Sequence, residues 1–424
     1  MKKRLLCLLI ALSLTVCCLS MSSCNLVSLI MGGDGIPEPD ADNGAGNVLP
    51  GGDVYVEGGD TNNITINSSS DGNLLAASKA VLSVVSVYAE FEKTITSAWG
   101  SSTRTEAFAQ AGAGVIYKLD KNNGSAYIIT NYHVIHSAKD NSTTQIARRI
   151  NLYLYGMEES EYAIPAEFIG GSMQYDLAVL KVTASPVLIS SIATAATVAD
   201  SNSVSILDTA IAIGNPETNG ISATAGYVNV DSEEIELYAS DDMTVIKIRV
   251  MRIDAAINSG NSGGGLFNSK GELIGIVNAK KTTSDGMGYA IPSNVAKYIA
   301  ENVIYYCDGT ENTSVKRCIL GIKVNHSELY TVYDEESGRV QRCERVIVSQ
   351  TIEGSFAEEI FLKGDVINSI TIDGVSFDIT RTFHVIDSML NARTGSKVLF
   401  NIERNGEPMA IEVTVSEDML TEYK

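Results

Sequence analysis

The sequence predicts a mainly β protein with more than one domain, and three observations support that fold class. Hydrophobic residues make up 45% of the chain, and many are β-branched, which favours strands. Residues 126–135 form a β-branched and aromatic run, and residues 266–277 have the pattern of a hairpin with an Asn-to-Gly turn and no helical stripe. At 424 residues the chain is long enough for two or three domains.

The first 24 residues have the pattern of an export signal. A basic start at residues 1–4 precedes an apolar stretch, and residues 21–24 resemble a lipobox ending at Cys24. We predict a signal peptide over residues 1–23, lipidation of Cys24 and tethering to a bacterial cell membrane through the N-terminus, with the rest of the chain outside the cytoplasm. An uncleaved anchor is the alternative, because residues 5–31 carry no charge and exceed the roughly 20 residues that span a bilayer.

Residues 24–73 are rich in glycine and acidic residues and contain no Lys or Arg. Such a composition cannot bury a core, so we predict a flexible linker. The formal net charge of the whole chain is −20, which argues against nucleic acid or an anionic lipid surface as a direct partner.

The loop at residues 258–265 is the strongest candidate for a reactive site, because glycines flank Ser262 there. A serine hydroxyl needs a neighbouring base, a group that orients this base, and backbone N–H donors for the oxyanion. Gly260, Gly263 and Gly264 lack Cβ atoms and therefore allow a substrate carbonyl to approach the amides of Gly260 and Ser262. A polar hairpin turn is the alternative explanation.

The candidate base is one of four histidines, His133, His136, His326 and His384. His133 follows a β-branched and aromatic run, so we expect its side chain to project from a strand end into a cleft. His136 suggests a metal-binding pair with it, but no Cys, His or Glu cluster with ligand spacing lies nearby. We therefore predict no metal and no other cofactor.

Asp176 precedes the apolar run of residues 177–180 and is the candidate for the orienting acid. Such an acid is either exposed at the start of a strand or buried and hydrogen-bonded to a donor. The order His133, Asp176, Ser262 excludes an α/β-hydrolase, in which the serine precedes the acid and the histidine and is followed by a helix.

From about residue 76 to the end, the chain resembles the HtrA (Deg) type of chymotrypsin-fold serine proteases, which carry a C-terminal PDZ domain. The matching segments of the first part are residues 83–87, 112–116, 130–135, 176–180, 212–216, 253–264, 275–278 and 288–293. The resemblance implies a chymotrypsin-like double β-barrel over residues 74–306, a linker over 307–317, and a PDZ domain, a small β-barrel with helices, over 318–424.

The same resemblance implies roles for the candidate residues. His133 is the general base, Asp176 orients it, Ser262 is the nucleophile, and the amides of Gly260 and Ser262 form the oxyanion hole. Two positions depart from the family. Tyr132 stands where a second asparagine is usual, and Gly265 stands where proline is usual. We expect Gly265 to leave the loop after the nucleophile freer and to favour a disordered resting site.

Substrate preference follows in part from the residue six before the nucleophile, which in chymotrypsin-like folds lies at the floor of the S1 pocket. Here it is Ala256, which lacks the carboxylate that would select Lys or Arg. We expect cleavage after small or medium apolar residues such as Val, Ala or Ile, with Ile257 and residues 278–291 shaping the walls.

In the C-terminal part, Leu320, Gly321 and Ile322 resemble the carboxylate-binding loop of HtrA-type PDZ domains. We expect amides around Gly321 to bind a peptide C-terminus while the peptide adds a strand to the sheet edge. An ordinary strand with a glycine is the alternative. His384 lies in a helix-like stretch over residues 381–392, and we expect it at the surface.

Three of the cysteines, Cys307, Cys318 and Cys343, lie outside the targeting segment. An odd number does not make a disulfide framework. Either Cys307 pairs with Cys318, or all three are free or buried thiols.

The sequence thus predicts an extracytoplasmic serine endopeptidase that degrades unfolded or damaged polypeptides and whose PDZ domain binds exposed C-termini. A homotrimer is implied by the resemblance alone. A catalytically latent peptide-binding or chaperone module is one alternative, which the presence of all three triad residues disfavours. An esterase with the same triad is another, which the PDZ region disfavours.

Overall fold

The computed structural model describes residues 72–96, 103–216, 220–278, 287–307, 313–335 and 338–423. The predicted signal peptide, the lipidation site Cys24 and nearly all of the predicted linker over 24–73 lie outside these residues. Within these ranges, no helix is both long and apolar enough to cross a bilayer.

The first six strands close into a barrel, which we call barrel 1. It comprises β1 (Val84–Thr96), β2 (Thr103–Asp120), β3 (Ser125–Thr130), β4 (Arg149–Leu154), β5 (Ile164–Ser172) and β6 (Leu177–Val182). β1 pairs with β2 and β4, β3 pairs with β2 and β6, and β5 pairs with β4 and β6. Alternate residues of these strands point inward, and the core is built from Val87, Ile116, Ile128, Leu152 and Leu180 among others.

Three short helices accompany barrel 1. They are α1 (Gly72–Ala80) before β1, α2 (Tyr132–Ile135) after β3, and α3 (Pro186–Ser190) after β6. The side chain of Ser185 caps α3 by accepting a hydrogen bond from Leu188 N–H.

Six further strands close into barrel 2. They are β7 (Thr209–Gly214), β8 (Ser222–Tyr238), β9 (Val245–Ile253), β10 (Gly265–Phe267), β11 (Leu273–Asn278) and β12 (Gly288–Pro292), in the closed order β10-β11-β12-β9-β8-β7. The hairpin expected over residues 266–277 is the β10–β11 pair. Helix α4 (Ser293–Tyr306) follows, and its Val295, Ile299 and Val303 recur every four residues on the buried face.

The remaining strands form a smaller C-terminal domain. They are β13 (Thr313–Cys318), β14 (Ile322–Asp334), β15 (Arg339–Thr351), β16 (Val366–Ile372), β17 (Val375–Asp378), β18 (Lys397–Arg404), β19 (Glu407–Thr414) and β20 (Leu420–Tyr423), with helix α5 (Thr382–Ser388) between β17 and β18. The sheet order is β14-β15-β16-β18-β19, and β17 pairs with β16. The prediction of a mainly β chain with a double barrel and a smaller C-terminal domain is confirmed.

The C-terminal domain is joined to the barrels by backbone and side-chain contacts. β13 begins inside the predicted linker over residues 307–317 and ends one residue beyond it. It pairs in parallel with β5, with Thr313 opposite Gly170, and it pairs antiparallel with β20. Ion pairs also connect this domain to barrel 2 and the segment that precedes it. They are Arg249 with Asp387, Arg381 with Asp231 at 2.9 Å, and Arg339 with Asp208 at 3.1 Å.

The structure decides two expectations about the C-terminal part, the state of the cysteines and the exposure of His384. Cys307, Cys318 and Cys343 are all free thiols, so the second of the two alternatives holds, and burial raises the pKa of Cys318 to about 11. His384 is buried, so the expectation that it lies at the surface is wrong. Its Nδ1 accepts a hydrogen bond from Thr380 N–H at 3.3 Å, and burial lowers its pKa to about 4.

Candidate active site

His133 and Asp176 are in direct contact. His133 Nδ1 lies 2.7 Å from Asp176 Oδ2, and the backbone N–H of His133 donates to Asp176 Oδ1 at 3.0 Å. Strand β3 ends at Thr130, so His133 lies on the one-turn helix α2 rather than at the strand end. The two hydrogen bonds fix the position and the ring orientation of the histidine, with Nδ1 as donor and Nε2 left to accept a proton.

Asp176 is buried and is held by donors from several segments. Its side chain accepts from Asn278 Nδ2 at 2.8 Å, and its backbone carbonyl accepts from Asn131 Nδ2 at 2.9 Å and from Tyr132 N–H at 3.2 Å. Asn278 Nδ2 and the two donors of His133 replace the water that the carboxylate loses on burial, whereas Asn131 and Tyr132 hold the backbone of Asp176. Asp176 has a φ of 51°, in the left-handed region that non-glycine residues seldom adopt and that is common at functional sites.

Ser262 lies in the loop between β9 and β10, and this loop is attached to both barrels. The carbonyl of Ser262 accepts from Ala113 N–H of barrel 1 at 2.8 Å, and Gly263 N–H donates to the Val277 carbonyl of barrel 2 at 2.9 Å. Gly263 has a φ of 82°, and a Cβ on it would lie 2.2 Å from the Ala113 carbonyl oxygen. Only glycine fits this position, so the nucleophile loop is fixed between the barrels.

Ser262, His133 and Gly260 line one cavity of about 480 Å³. Gly260 adopts a φ of 96° in a turn that Asn261 N–H closes by donating to the Asn258 carbonyl at 3.1 Å. All three triad candidates and both residues of the expected oxyanion hole therefore converge. Ser240 and Asp242 at the tip of the β8–β9 hairpin and Ser137–Lys139 after α2 also line this cavity.

The two departures from the family pattern have different surroundings. Tyr132 stacks near His136 with ring centroids 5.3 Å apart and meets Phe168 edge-on at 5.9 Å, and burial raises its pKa. Gly265 begins β10 and pairs with Ile213 and Ile276, so this residue belongs to the barrel rather than to a free loop. A Cβ here would lie 2.3 Å from the Phe267 ring, and proline would therefore displace that ring.

The residues expected at the S1 pocket are partly described. Ala256 is exposed, and its carbonyl accepts from Thr224 Oγ1 at 2.8 Å. Ile257 is half-buried and occupies the space beside Gly288, where a Cβ would lie 2.5 Å from its Cγ1. Residues 279–286 of the expected wall lie outside the described residues.

His136 is buried near the triad. Within the ranges described above, no group of three or more His, Cys, Asp or Glu side chains could hold a metal ion.

The loop expected to bind a peptide carboxylate lies where the outermost strand of the C-terminal sheet begins. Leu320 is buried, Gly321 has a φ of 81°, and Ile322 is the first residue of β14. The Gly321 carbonyl accepts from Ile352 N–H at 2.8 Å. A Cβ on Gly321 would lie 2.2 Å from Ser355 Oγ, so the tight turn beside the edge strand requires glycine.

A second cavity, of about 680 Å³, lies between β14, α5 and β9. Val324 of β14 and Phe383 and Ile386 of α5 supply apolar walls, and Lys247 and Arg249 of β9 supply charged ones. This cavity thus lies between the C-terminal domain and barrel 2.

Sequence reasoning did not find the contact of Asn278 with Asp176, nor the lining of the first cavity by Ser240 and Asp242. The signal for Asn278 is a single polar residue at the end of the apolar strand Leu273–Asn278. Nothing in the local sequence links the β8–β9 tip to His133.

The chain is similar to several known proteins. A sequence profile described as a trypsin-like peptidase domain matches residues 112–276. The chain is 31% identical over 318 residues to the periplasmic pH-dependent serine endoprotease DegQ of Escherichia coli strain K12, covering 73% of this chain and 60% of DegQ. It is 29% identical over 346 residues to the serine protease Do-like HtrA of Bacillus subtilis strain 168, covering 80% of this chain and 71% of that protein. A solved structure of the HtrA-type protease AlgW with a decapeptide shares 25% identity, covers 81% of this chain and 98% of AlgW, and gives a TM-score of 0.49.

Proposed function

We propose that this chain, which belongs to the HtrA type of trypsin-like serine proteases, is an extracytoplasmic endopeptidase that hydrolyses unfolded or damaged polypeptides. The observation that carries the proposal is the His133–Asp176 contact at 2.7 Å beside a cavity that Ser262 also lines. The relatives are named serine endoproteases or serine proteases, which supports the same reaction class.

In this mechanism Ser262 Oγ attacks the carbonyl carbon of the scissile peptide bond while His133 Nε2 takes the hydroxyl proton. The amides of Gly260 and Ser262 stabilise the oxyanion of the tetrahedral intermediate. His133 then gives the proton to the leaving amine, and an acyl-enzyme remains on Ser262. Water attacks the ester carbon while His133 Nε2 takes one of its protons. The second tetrahedral intermediate collapses, the bond from the acyl carbon to Ser262 Oγ breaks, His133 returns the proton to Ser262 Oγ, and the second product leaves as a carboxylic acid that ionises. Asp176 keeps the proton of the neutral imidazole on Nδ1 throughout and stabilises the imidazolium.

The C-terminal domain is proposed to act as a PDZ domain that binds the C-termini of polypeptides. The turn at Gly321 supports this, because backbone amides there lie beside an edge strand that a peptide can extend. Specificity at the cleavage site is proposed to come from Ala256 and Ile257, which favour small or medium apolar residues before the scissile bond.

The location is proposed to be outside the cytoplasm, on a membrane to which lipidated Cys24 tethers the chain. The periplasmic name of the DegQ relative supports the compartment. Labelling of cells with palmitate tests the tether, and label that persists in Cys24→Ala would contradict it. A homotrimer is proposed from the family alone, and light scattering of the purified chain tests it.

Covalent labelling with a fluorophosphonate tests the proposed reaction. We expect one label per chain at Ser262, located by mass spectrometry, and at least a hundredfold slower labelling of His133→Ala. Absence of labelling at Ser262 in a folded chain would instead favour a catalytically latent peptide-binding module.

A further inference from the structure

We infer that the cavity beside His133 and Ser262 is the subsite for the substrate residues that follow the scissile bond, and that two charged residues select side chains there. Asp242 binds Lys or Arg side chains of the substrate, and Lys139 binds Asp or Glu side chains. The inference rests on the proposed function, because it names the polypeptides that the same site prefers.

The position of the cavity identifies the part of the substrate that it takes. The cavity is lined by His133, Ser262 and residues 136–139. Neither Ala256 nor Ile257, the residues expected at the S1 pocket, lines it. In the proposed mechanism His133 gives its proton to the amine of the first residue after the scissile bond. That residue therefore lies beside His133, and the chain that follows it runs into this cavity.

Lys139 belongs to a turn after α2 that hydrogen bonds hold in place. The next residue, Asp140, is 5% exposed, and its carboxylate accepts from Glu92 N–H and from Ser142 N–H, both at 2.8 Å. Its own N–H donates to the Ser137 carbonyl at 2.9 Å. Lys139 itself is exposed and lines the cavity, so a fixed backbone carries its ammonium group.

Asp242 lies at the tip of the β8–β9 hairpin, next to an acid that stabilises this tip. The Asp241 carboxylate accepts from Met243 N–H at 2.9 Å and from Thr244 N–H at 2.8 Å. Burial raises the pKa of Asp241, but its hydrogen bonds outweigh burial and lower this pKa below its ordinary value. Asp242 N–H donates to the Ala239 carbonyl at 3.1 Å. The turn thus uses Asp241 and leaves the carboxylate of Asp242 for the cavity that it lines.

Both charges are available to a substrate. Within the residues that the structure describes, neither the Asp242 carboxylate nor the Lys139 ammonium group has an ion pair or a hydrogen bond. A charge in a cleft attracts an opposite charge more strongly than one on an open surface does. Asp242 comes from barrel 2 and Lys139 from barrel 1, and successive side chains of an extended chain point to opposite sides. One substrate can therefore meet both charges at neighbouring positions.

Charges that merely keep the rim of the cleft hydrated make a different prediction. Exposed ion pairs often contribute nothing measurable, and substitution of such residues would leave the cleavage preferences unchanged. A steric preference for long side chains would also differ, because it would not depend on the ionic strength. Charge selection is therefore recognised by its sign and by its sensitivity to salt.

The experiment uses the full chain and matched peptides copied from one site that the wild-type chain cuts in unfolded casein. The three residues after the bond are alanine, except for one Lys or one Glu at each position in turn, and mass spectrometry verifies the bond that is cut. At its best position, each charge should raise kcat/KM about two- to fivefold above the alanine peptide, the range for a partly exposed ion pair. Both gains should shrink in about 1 M NaCl, because salt screens the charges.

Two substitutions assign the preferences to their residues. Asp242→Asn should remove the gain for Lys and keep the gain for Glu, and asparagine tolerates the φ of 59° at this position. Lys139→Glu should replace the preference for Glu by one for Lys. Asp418→Asn is the matched control, because Asp418 is exposed and does not line the cavity, and it should change neither preference.

Equal kcat/KM for the Lys, Glu and alanine peptides with the wild-type chain would overturn the inference while the proposed function stands. Preferences that persist in both Asp242→Asn and Lys139→Glu would do the same. If a variant no longer reacts with fluorophosphonate at Ser262, the peptide and salt comparisons with the wild-type chain decide. A folded wild-type chain that neither cleaves casein nor reacts with fluorophosphonate would overturn the proposed function and this inference together.

Discussion

Replacement of the proposed orienting acid, Asp176→Asn, tests how the triad geometry produces a base. In the native chain Oδ1 accepts from His133 N–H at 3.0 Å, and Oδ2 accepts from His133 Nδ1 at 2.7 Å and from Asn278 Nδ2 at 2.8 Å. An introduced amide has one acceptor and one donor end. If its oxygen takes the place of Oδ2, its NH₂ faces the His133 N–H, and the two donors conflict.

The opposite orientation resolves the conflict at the cost of catalysis. With the oxygen in the place of Oδ1, the NH₂ faces His133 Nδ1 and Asn278. Asn278 can flip its amide to accept, and His133 can shift its proton to Nε2 so that Nδ1 accepts. The groups that face the introduced amide are then paired, so we expect the fold to stay stable. His133 Nε2, however, now carries a proton and cannot take one from Ser262.

The expected loss follows from this tautomer. A wrongly protonated base costs about 10⁴ in rate in the serine protease template, or roughly 5 kcal/mol at 1.36 kcal/mol per decade. We expect kcat/KM for unfolded casein to fall by about this factor, and thermal unfolding to shift by only a few degrees. Asp200→Asn is the control, because Asp200 accepts from Asn202 N–H at 2.9 Å and from Asn294 Nδ2 at 2.6 Å but from no histidine. Retention of a tenth of wild-type kcat/KM in Asp176→Asn would refute the reasoning.

Three further perturbations test separate parts of the account. Gly263→Ala should lower the free energy of unfolding by about 3 kcal/mol or more and slow fluorophosphonate labelling of Ser262, because a left-handed φ alone costs roughly 1–2 kcal/mol and the Cβ would lie 2.2 Å from the Ala113 carbonyl oxygen. The control Gly406→Ala has a φ of 85° and open space around the Cβ, so it should lose only the roughly 1–2 kcal/mol of the backbone strain. Equal urea midpoints for the two variants would contradict this. Burial lowers the pKa of His384 from 6.5 to about 4, so the unfolded chain binds more protons between these pH values. The contribution of His384 to the free energy of unfolding is therefore full above pH 6.5 and falls by up to about 3 kcal/mol towards pH 4. His384→Gln should make the free energy of unfolding in urea depend less on pH over this range, and an unchanged dependence on pH would exclude the effect. Ala256→Asp should redirect cleavage of casein towards bonds after Lys and Arg, and mapped sites that stay after apolar residues would remove Ala256 from the S1 pocket.

Much of the fold is predictable because its signals are local. Runs of β-branched residues predict the barrel strands, and the glycines around Ser262 predict a loop that only special backbone angles allow. The chain order of His133, Asp176 and Ser262 then separates this fold from other serine hydrolases before any contact is known.

The unpredicted features depend on contacts between distant segments. Asn278 meets Asp176 across 102 residues, and no local pattern encodes this pairing. The sequence predicts a linker over residues 307–317, whereas the structure has strand β13 there. The strand is not predictable locally, because its pairing partner β5 is far away in sequence. His384 has the local pattern of a surface helix, yet α5 packs against barrel 2 through the Arg249–Asp387 pair, and tertiary packing overrides the pattern.

Degradation of a permanently unfolded protein by the full chain, beside its Ser262→Ala variant, tests the central claim most directly. The account predicts fragments from wild type alone, with both chains equally folded by circular dichroism. Equal cleavage by both would show that Ser262 is not the nucleophile. No cleavage by either, with and without peptides bearing free C-termini, would contradict the proposed protease and favour a latent binding module.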